Sequence, residues 1–137
     1  MVCLAVHTLG MRPVECNARS LLIKGSVALE QCQFVEAGCC LREAVRLYLL
    51  AECEYHDCTP KSKRPPCPRV LASALRKAKV LEASEHRLIL EFVEAGNSAA
   101  HLKFVKPSDL ASGFNIMCMI LEDARHLVQP KAAGRLS

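Results

Sequence analysis

Four prolines crowd the segment HDCTPKSKRPPCP, at Pro60, Pro65, Pro66 and Pro68, and they constrain this chain more than any other stretch of it. A proline inside a helix removes a backbone hydrogen bond and drives its ring into the preceding turn, so no helix can cross this segment. Whatever lies before and after it must fold as separate elements joined by the longest loop in the chain. Both flanks carry apolar residues at helical spacing and neither shows the alternation of a strand.

Upstream, Leu21, Leu22, Ala28, Leu29 and Cys32 recur at intervals of three, four and seven between Ala18 and Cys32, one stripe of a helix that Gly25 weakens without stopping. The run FVEAGCCLREAVRLYLLAECEY is expected to break at or near Gly38 and to continue as a second helix. Its positions Leu41, Ala44, Val45, Tyr48, Leu49 and Ala51 are apolar over an arc wide enough for the centre of a bundle. Downstream, Pro68 suits the first turn of a third helix over Arg69 to Lys79, and Ser84 is the expected cap of a fourth, with Glu85 in its first turn. Pro107 and Ser108 reset the chain for a stripe of Leu110, Phe114, Met117, Cys118, Leu121 and Ala124 that ends near Val128. The fold class expected is therefore all-α, an antiparallel up-and-down bundle of four to five helices.

Composition agrees. Apolar residues make up 51 % of the 137-residue chain and aromatics only 4 %, so the core must be built from Leu, Val, Ala, Ile and Cys, a palette that favours helices over sandwiches or barrels. One domain over residues 15–129 is expected, with residues 1–14 as an unstructured arm and 130–137 as a tail; Met11 offers a second plausible start. No apolar run approaches the roughly eighteen residues of a membrane span, and MVCLAVHTLG lacks the basic region of a signal peptide. The expectation is a cytoplasmic chain without membrane contact and without a cofactor.

Nine cysteines in such a chain point to free thiols. Cys32, Cys40 and Cys118 occupy apolar positions of helical patterns, where a thiol packs as a small hydrophobe. Cys53, His56, Cys58 and Cys67 stand apart as four soft-metal ligands around one loop; zinc takes such sets, although the spacing is not that of paired knuckles, and free thiols in a loop are the competing reading.

Charge is uneven. Lys61, Lys63, Arg64, Arg69, Arg76, Lys77 and Lys79 are unbroken by any acid, whereas Glu30 to Asp57 holds six acids against Arg42 and Arg46. Cations clustered on one loop and the helix after it can neutralise phosphates, which makes RNA a candidate partner. A merely solvated surface is the alternative, since no aromatics interleave the charges to stack bases.

The segment EAGNSAAH poses the functional question. If the helix continues to His101, Asn97 and His101 lie one turn apart on one face, and Gly96, Ala99 and Ala100 are small enough to admit another helix or another subunit beside them. An imidazole can move protons near neutral pH and an amide can orient a phosphate, yet a His ending such a helix also serves as an ordinary hydrogen-bonded cap.

These residues, with EAGCCLREAVRLYL before them and KPSDLASGFNIMCMILEDA after, resemble the HEPN superfamily, in particular a bacterial branch with a Gly-Asn-small-small-small-His segment. The resemblance spans about residues 18 to 128 and is most specific at GNSAAH. It implies a helical bundle that is frequently a homodimer with this segment at or near the dimer cleft. Catalytic members are metal-independent ribonucleases, often toxins or defence effectors, and use an Arg separated from the His by four to six residues. Those positions are here Gly96, Ala95 and Glu94, none of them basic, and Arg87 lies almost four helical turns below His101. Arg42 or Arg46 of the second helix, or a partner subunit, is an alternative source for the cation, which the sequence does not show. The resemblance therefore leads to a non-catalytic module that dimerises and binds RNA or a partner protein, in a defence or toxin–antitoxin setting. The alternative is a metal-independent endoribonuclease with a rearranged site using His101 and Asn97.

Overall fold

A computed structural model of the chain describes residues 13–127, and the expectations for residues 1–12 and 128–137 lie outside the described residues. Five α-helices and no strand are found among the described residues: α1 (Pro13–Glu30), α2 (Phe34–Tyr55), α3 (Pro68–Lys77), α4 (Ala83–Ala100) and α5 (Pro107–Asp123), followed by a 3-10 turn, Arg125–Leu127. The all-α bundle expected from periodicity is what the chain forms. No described helix is long and apolar enough to cross a membrane.

Three helices open on a proline, Pro13, Pro68 and Pro107, where the missing N–H has no intrahelical partner to lose. The fourth, α4, starts earlier than expected. Glu82, not Ser84, is its cap, and the Glu82 N–H donates to the Glu85 carboxylate at 2.9 Å. A Glu three residues into the helix thus satisfies the cap's own donor.

The first four helices all stop in the same way. Residues Cys32, Asp57, Lys79 and Leu102 take left-handed φ values of 58–63°. Each donates its N–H three residues back, and the next residue donates five back: Gln33 to Ala28, Cys58 to Cys53, Val80 to Leu75 and Lys103 to Ser98, all at 2.8–2.9 Å. This is the Schellman ending, usually built on glycine. It corrects the expected break near Gly38. The chain reverses at Cys32, three residues suffice to join α1 to α2, and α2 runs straight through Gly38.

Gly38 serves close approach instead. A Cβ there would fall 2.6 Å from the Ala99 Cβ and 2.7 Å from the Gly96 carbonyl, while a Cβ on Gly96 would fall 2.9 Å from the Gly38 carbonyl and 3.2 Å from Arg42. Pairing 38 with 99 and 42 with 96 fixes α2 and α4 as antiparallel. Both glycines belong to the same pentapeptide, FVEAG, which occurs at 34–38 and again at 92–96. The two copies are buried differently: Phe92 and Val93 are core residues, whereas Phe34 and Val35 are 37 % and 39 % exposed.

Helix α2 is central, as its wide apolar arc requires, and touches every other helix. Leu41, Val45 and Leu49 are fully buried there, against Leu71 and Leu75 of α3 and Leu110, Phe114, Met117 and Leu121 of α5 in one continuous core. Removing each such side chain from water contributes about 1.5–3 kcal/mol. Two cysteine expectations are corrected: Cys40 is buried, but Cys32 and Cys118 are exposed. Cys32 sits in the turn that ends α1, and Cys118 follows the buried Met117 onto the outer face of α5. The last helix also ends at Asp123, before the expected Val128, because Ala124 leaves helical geometry and begins the 3-10 turn.

Candidate functional site

The polar pair of the GNSAAH segment is divided between seam and surface. Gly96 and Ala99 are buried against α2 of the same chain and Ala100 is half-buried, so the small residues are spent on an intramolecular crossing. Asn97 is half-buried beside this crossing, and its side-chain oxygen accepts a hydrogen bond from Arg42 Nη1 at 3.2 Å. A cation of α2 thus reaches Asn97 across the crossing. Arg46, one turn further along, is engaged elsewhere in a two-pronged pair with Glu43 at 2.8 and 2.7 Å. That pairing holds the Glu43 carboxyl below its ordinary range and the Arg46 guanidinium above its own. His101 ends the helix as its C-terminal cap, donates its N–H to the Asn97 carbonyl at 3.0 Å, and is exposed. Just beyond it, Leu102 and Phe104 are 84 % and 87 % exposed, and with Phe34 and Val35 they border a recess of about 270 Å³.

The seven cations from Lys61 to Lys79 are all exposed. Lys61, Lys63 and Arg64 lie on the loop before α3, and Arg69, Arg76 and Lys77 on α3 itself. Lys79 lies in the turn that closes α3. Two of them have partners: Arg69 donates to Glu94 at 3.0 Å, and Arg76 to the Leu81 carbonyl at 3.3 Å. Glu94, at one of the positions where the HEPN resemblance expects an Arg, thus carries the opposite charge and holds a cation of α3. Arg69 and Arg76 border an open groove of about 620 Å³ between α3 and α4, together with His86, Arg87 and Glu91.

The four expected soft-metal ligands do not come together. Cys53 is fully buried, donates to the Leu71 carbonyl at 3.6 Å and lies beside Cys58; burial, with Cys58 adding to it, pushes its thiol pKa up to about 12. Cys67 is exposed ahead of α3. His56 belongs instead to a group with Glu52, one turn earlier on α2, and His126 of the 3-10 turn. The Glu52 carboxylate is only 5 % exposed; Tyr48 donates to its Oε2 at 3.0 Å, His126 Nε2 contacts its Oε1, and His56 Nε2 lies 3.9 Å from the same oxygen. Tyr55 stacks edge-on against both imidazoles, with ring centres 5.0 and 4.8 Å apart. Sequence reading missed Glu52 and His126 for this group. An acid one turn before a His, on the apolar arc of a helix, was the one signal the sequence offered.

Compared with protein-family models, with curated proteins and with solved structures, the chain matches none of them.

Proposed function

We propose that this chain is a non-catalytic, HEPN-like helical module that pairs with a second copy of itself and offers RNA or a partner protein a basic surface. The observation that carries this reading is the apolar corner of Leu102 and Phe104, more than four-fifths exposed beside Phe34 and Val35. Large apolar side chains gathered at one corner mark a surface for association. The corner follows directly on His101, where the resemblance puts the contact between subunits. The absence of catalysis is supported by α4 itself, where Glu94, Ala95 and Gly96 carry no cation and Glu94 is paired with Arg69 instead. The exposed cations from Lys61 to Lys79 support the RNA half of the proposal.

Sedimentation velocity over a concentration series tests the pairing. The wild type should form a dimer and a Leu102→Ser/Phe104→Ser variant should remain monomeric; a wild type that is monomeric throughout overturns the pairing. A gel-shift series with a mixed RNA pool at low and high salt tests the basic surface, and absence of any salt-sensitive shift leaves protein association alone.

A second reading rests on the Arg42 to Asn97 hydrogen bond. Arg42 would stabilise phosphorane charge beside Asn97, with His101 as general acid or base, giving an endoribonuclease whose cation comes from a different helix. Incubation with RNA in chelator separates the two: loss of cleavage in both His101→Ala and Arg42→Gln supports the nuclease, and equal cleavage by the variants and wild type means a contaminating enzyme.

A further inference from the structure

Helix α2 buries one carboxylate that the functions above do not use. Glu52 lies 5 % exposed on a face otherwise given to the core, and the basic side chains against its carboxylate among the described residues are two imidazoles rather than a Lys or Arg. A buried carboxylate is retained where charge or hydrogen bonds compensate its loss of water. Here the compensation comes from three directions at once: Tyr48 on Oε2, and His126 and His56 both toward Oε1.

We propose that Glu52, His56 and His126 form a binding site for a divalent first-row transition cation of the zinc class. Two imidazole nitrogens and one carboxylate oxygen are a donor set such ions take, leaving a fourth position open to water. Their ligand atoms all lie within 4.8 Å of one another. An ion with bonds of about 2.0–2.1 Å needs tetrahedral ligands roughly 3.3–3.5 Å apart. His56 would move inward and His126 outward, each by side-chain adjustment.

Three further features fit an ion. Glu52 and His56 are four residues apart on one helix, so α2 holds two ligands on one face without any loop. Tyr48, buried and hydrogen-bonded to the carboxylate oxygen that the ion would not use, orients Glu52 as an outer-shell partner does. The His56 and His126 side chains are 35 % and 34 % exposed, which gives an ion a path from solvent. Because His126 comes from the 3-10 turn after α5, occupancy would tie that turn to the central helix.

The test uses the full chain, treated with chelator, kept reduced and titrated with Co(II), whose spectrum reports its ligands. One tight equivalent is expected, with visible d–d absorption and no thiolate-to-cobalt charge-transfer band. His56→Gln and His126→Gln should each weaken it at least tenfold, while Cys53→Ser/Cys58→Ser should leave it unchanged. The same Zn(II) concentration should raise the melting temperature of the wild type more than that of His56→Gln, whose partly exposed position makes it tolerant of substitution. No binding by the wild type, a charge-transfer band, or binding that survives both histidine substitutions overturns the site and leaves the group as a hydrogen-bonded pin between α2 and the 3-10 turn.

Discussion

Gly38 and Gly96 face each other across the crossing of α2 and α4, and each occupies the space that a Cβ on the other would need. The two helices pass at backbone distance there, and the same crossing positions Arg42 against Asn97. A methyl group at either position meets backbone or a neighbouring Cβ, neither of which can rotate away.

Gly38→Ala should therefore destabilise the fold. Overpacking costs about 1–3 kcal/mol, against a gain of about 1 kcal/mol from replacing a helical glycine. The net loss should be larger for Gly38→Ala, whose Cβ would come within 2.6 Å of Ala99, than for Gly96→Ala, whose nearest contact would be 2.9 Å. Urea midpoints of the two variants check the order; equal or raised stability in both would mean that the helices part freely.

Stability should fall as the solution becomes alkaline. Burial raises the Cys53 thiol to about 12 and holds the Tyr48 phenol above its ordinary range. An unfolded chain releases these protons from roughly pH 8.5 for Cys and pH 10 for Tyr. Above those values the unfolded state binds fewer protons than the folded one, so stability is lost as pH rises, first through Cys53 and then through Tyr48. Urea unfolding between pH 7 and 11 measures the slope, and Cys53→Ala should flatten its first part. Iodoacetamide at pH 8 should label the exposed Cys32 and Cys67 well before Cys53.

Tyr48→Phe removes the one hydroxyl that donates to Glu52 Oε2 and leaves that buried oxygen without it. A hydrogen bond to a charged group contributes about 1.5–3 kcal/mol, so a loss in that range is expected from chemical denaturation at pH 7. A loss below about 0.5 kcal/mol would show that water replaces the hydroxyl.

If RNA binds the basic surface, Lys61→Ala/Lys63→Ala/Arg64→Ala should weaken it in a salt-dependent way. Each phosphate contact on a single strand contributes about 0.7 to the slope of log affinity against log salt, so the triple substitution should reduce that slope by about 2. Filter binding at several salt concentrations gives the slope, and an unchanged value removes the loop from the interface.

Much of the bundle could be read from the chain. The stripe of Leu41, Val45 and Leu49 and the prolines at 68 and 107 placed helices where they form. What escaped was information that resides between elements. Gly38 looked like a break and is a contact, while the true break at Cys32 carries no glycine or asparagine to announce it. Arg42 meets Asn97 across 55 residues and His126 meets Glu52 across 74, separations at which spacing along the sequence says nothing. The repeated FVEAG makes the same point: one word is core at Phe92 and surface at Phe34, because burial follows the phase of each helix against its neighbours.

The four left-handed helix ends have a consequence for how this chain reaches its fold. A non-glycine residue in that conformation costs about 1–2 kcal/mol, so Cys32, Asp57, Lys79 and Leu102 are turns that the local sequence resists. Lys79→Gly should accordingly raise stability by about 0.5–1 kcal/mol, while Lys79→Ala should not. Turns of this kind are poor nuclei: they are expected to close late, once the helices already touch, so that collapse comes before reversal and the bundle's hairpins follow from its core.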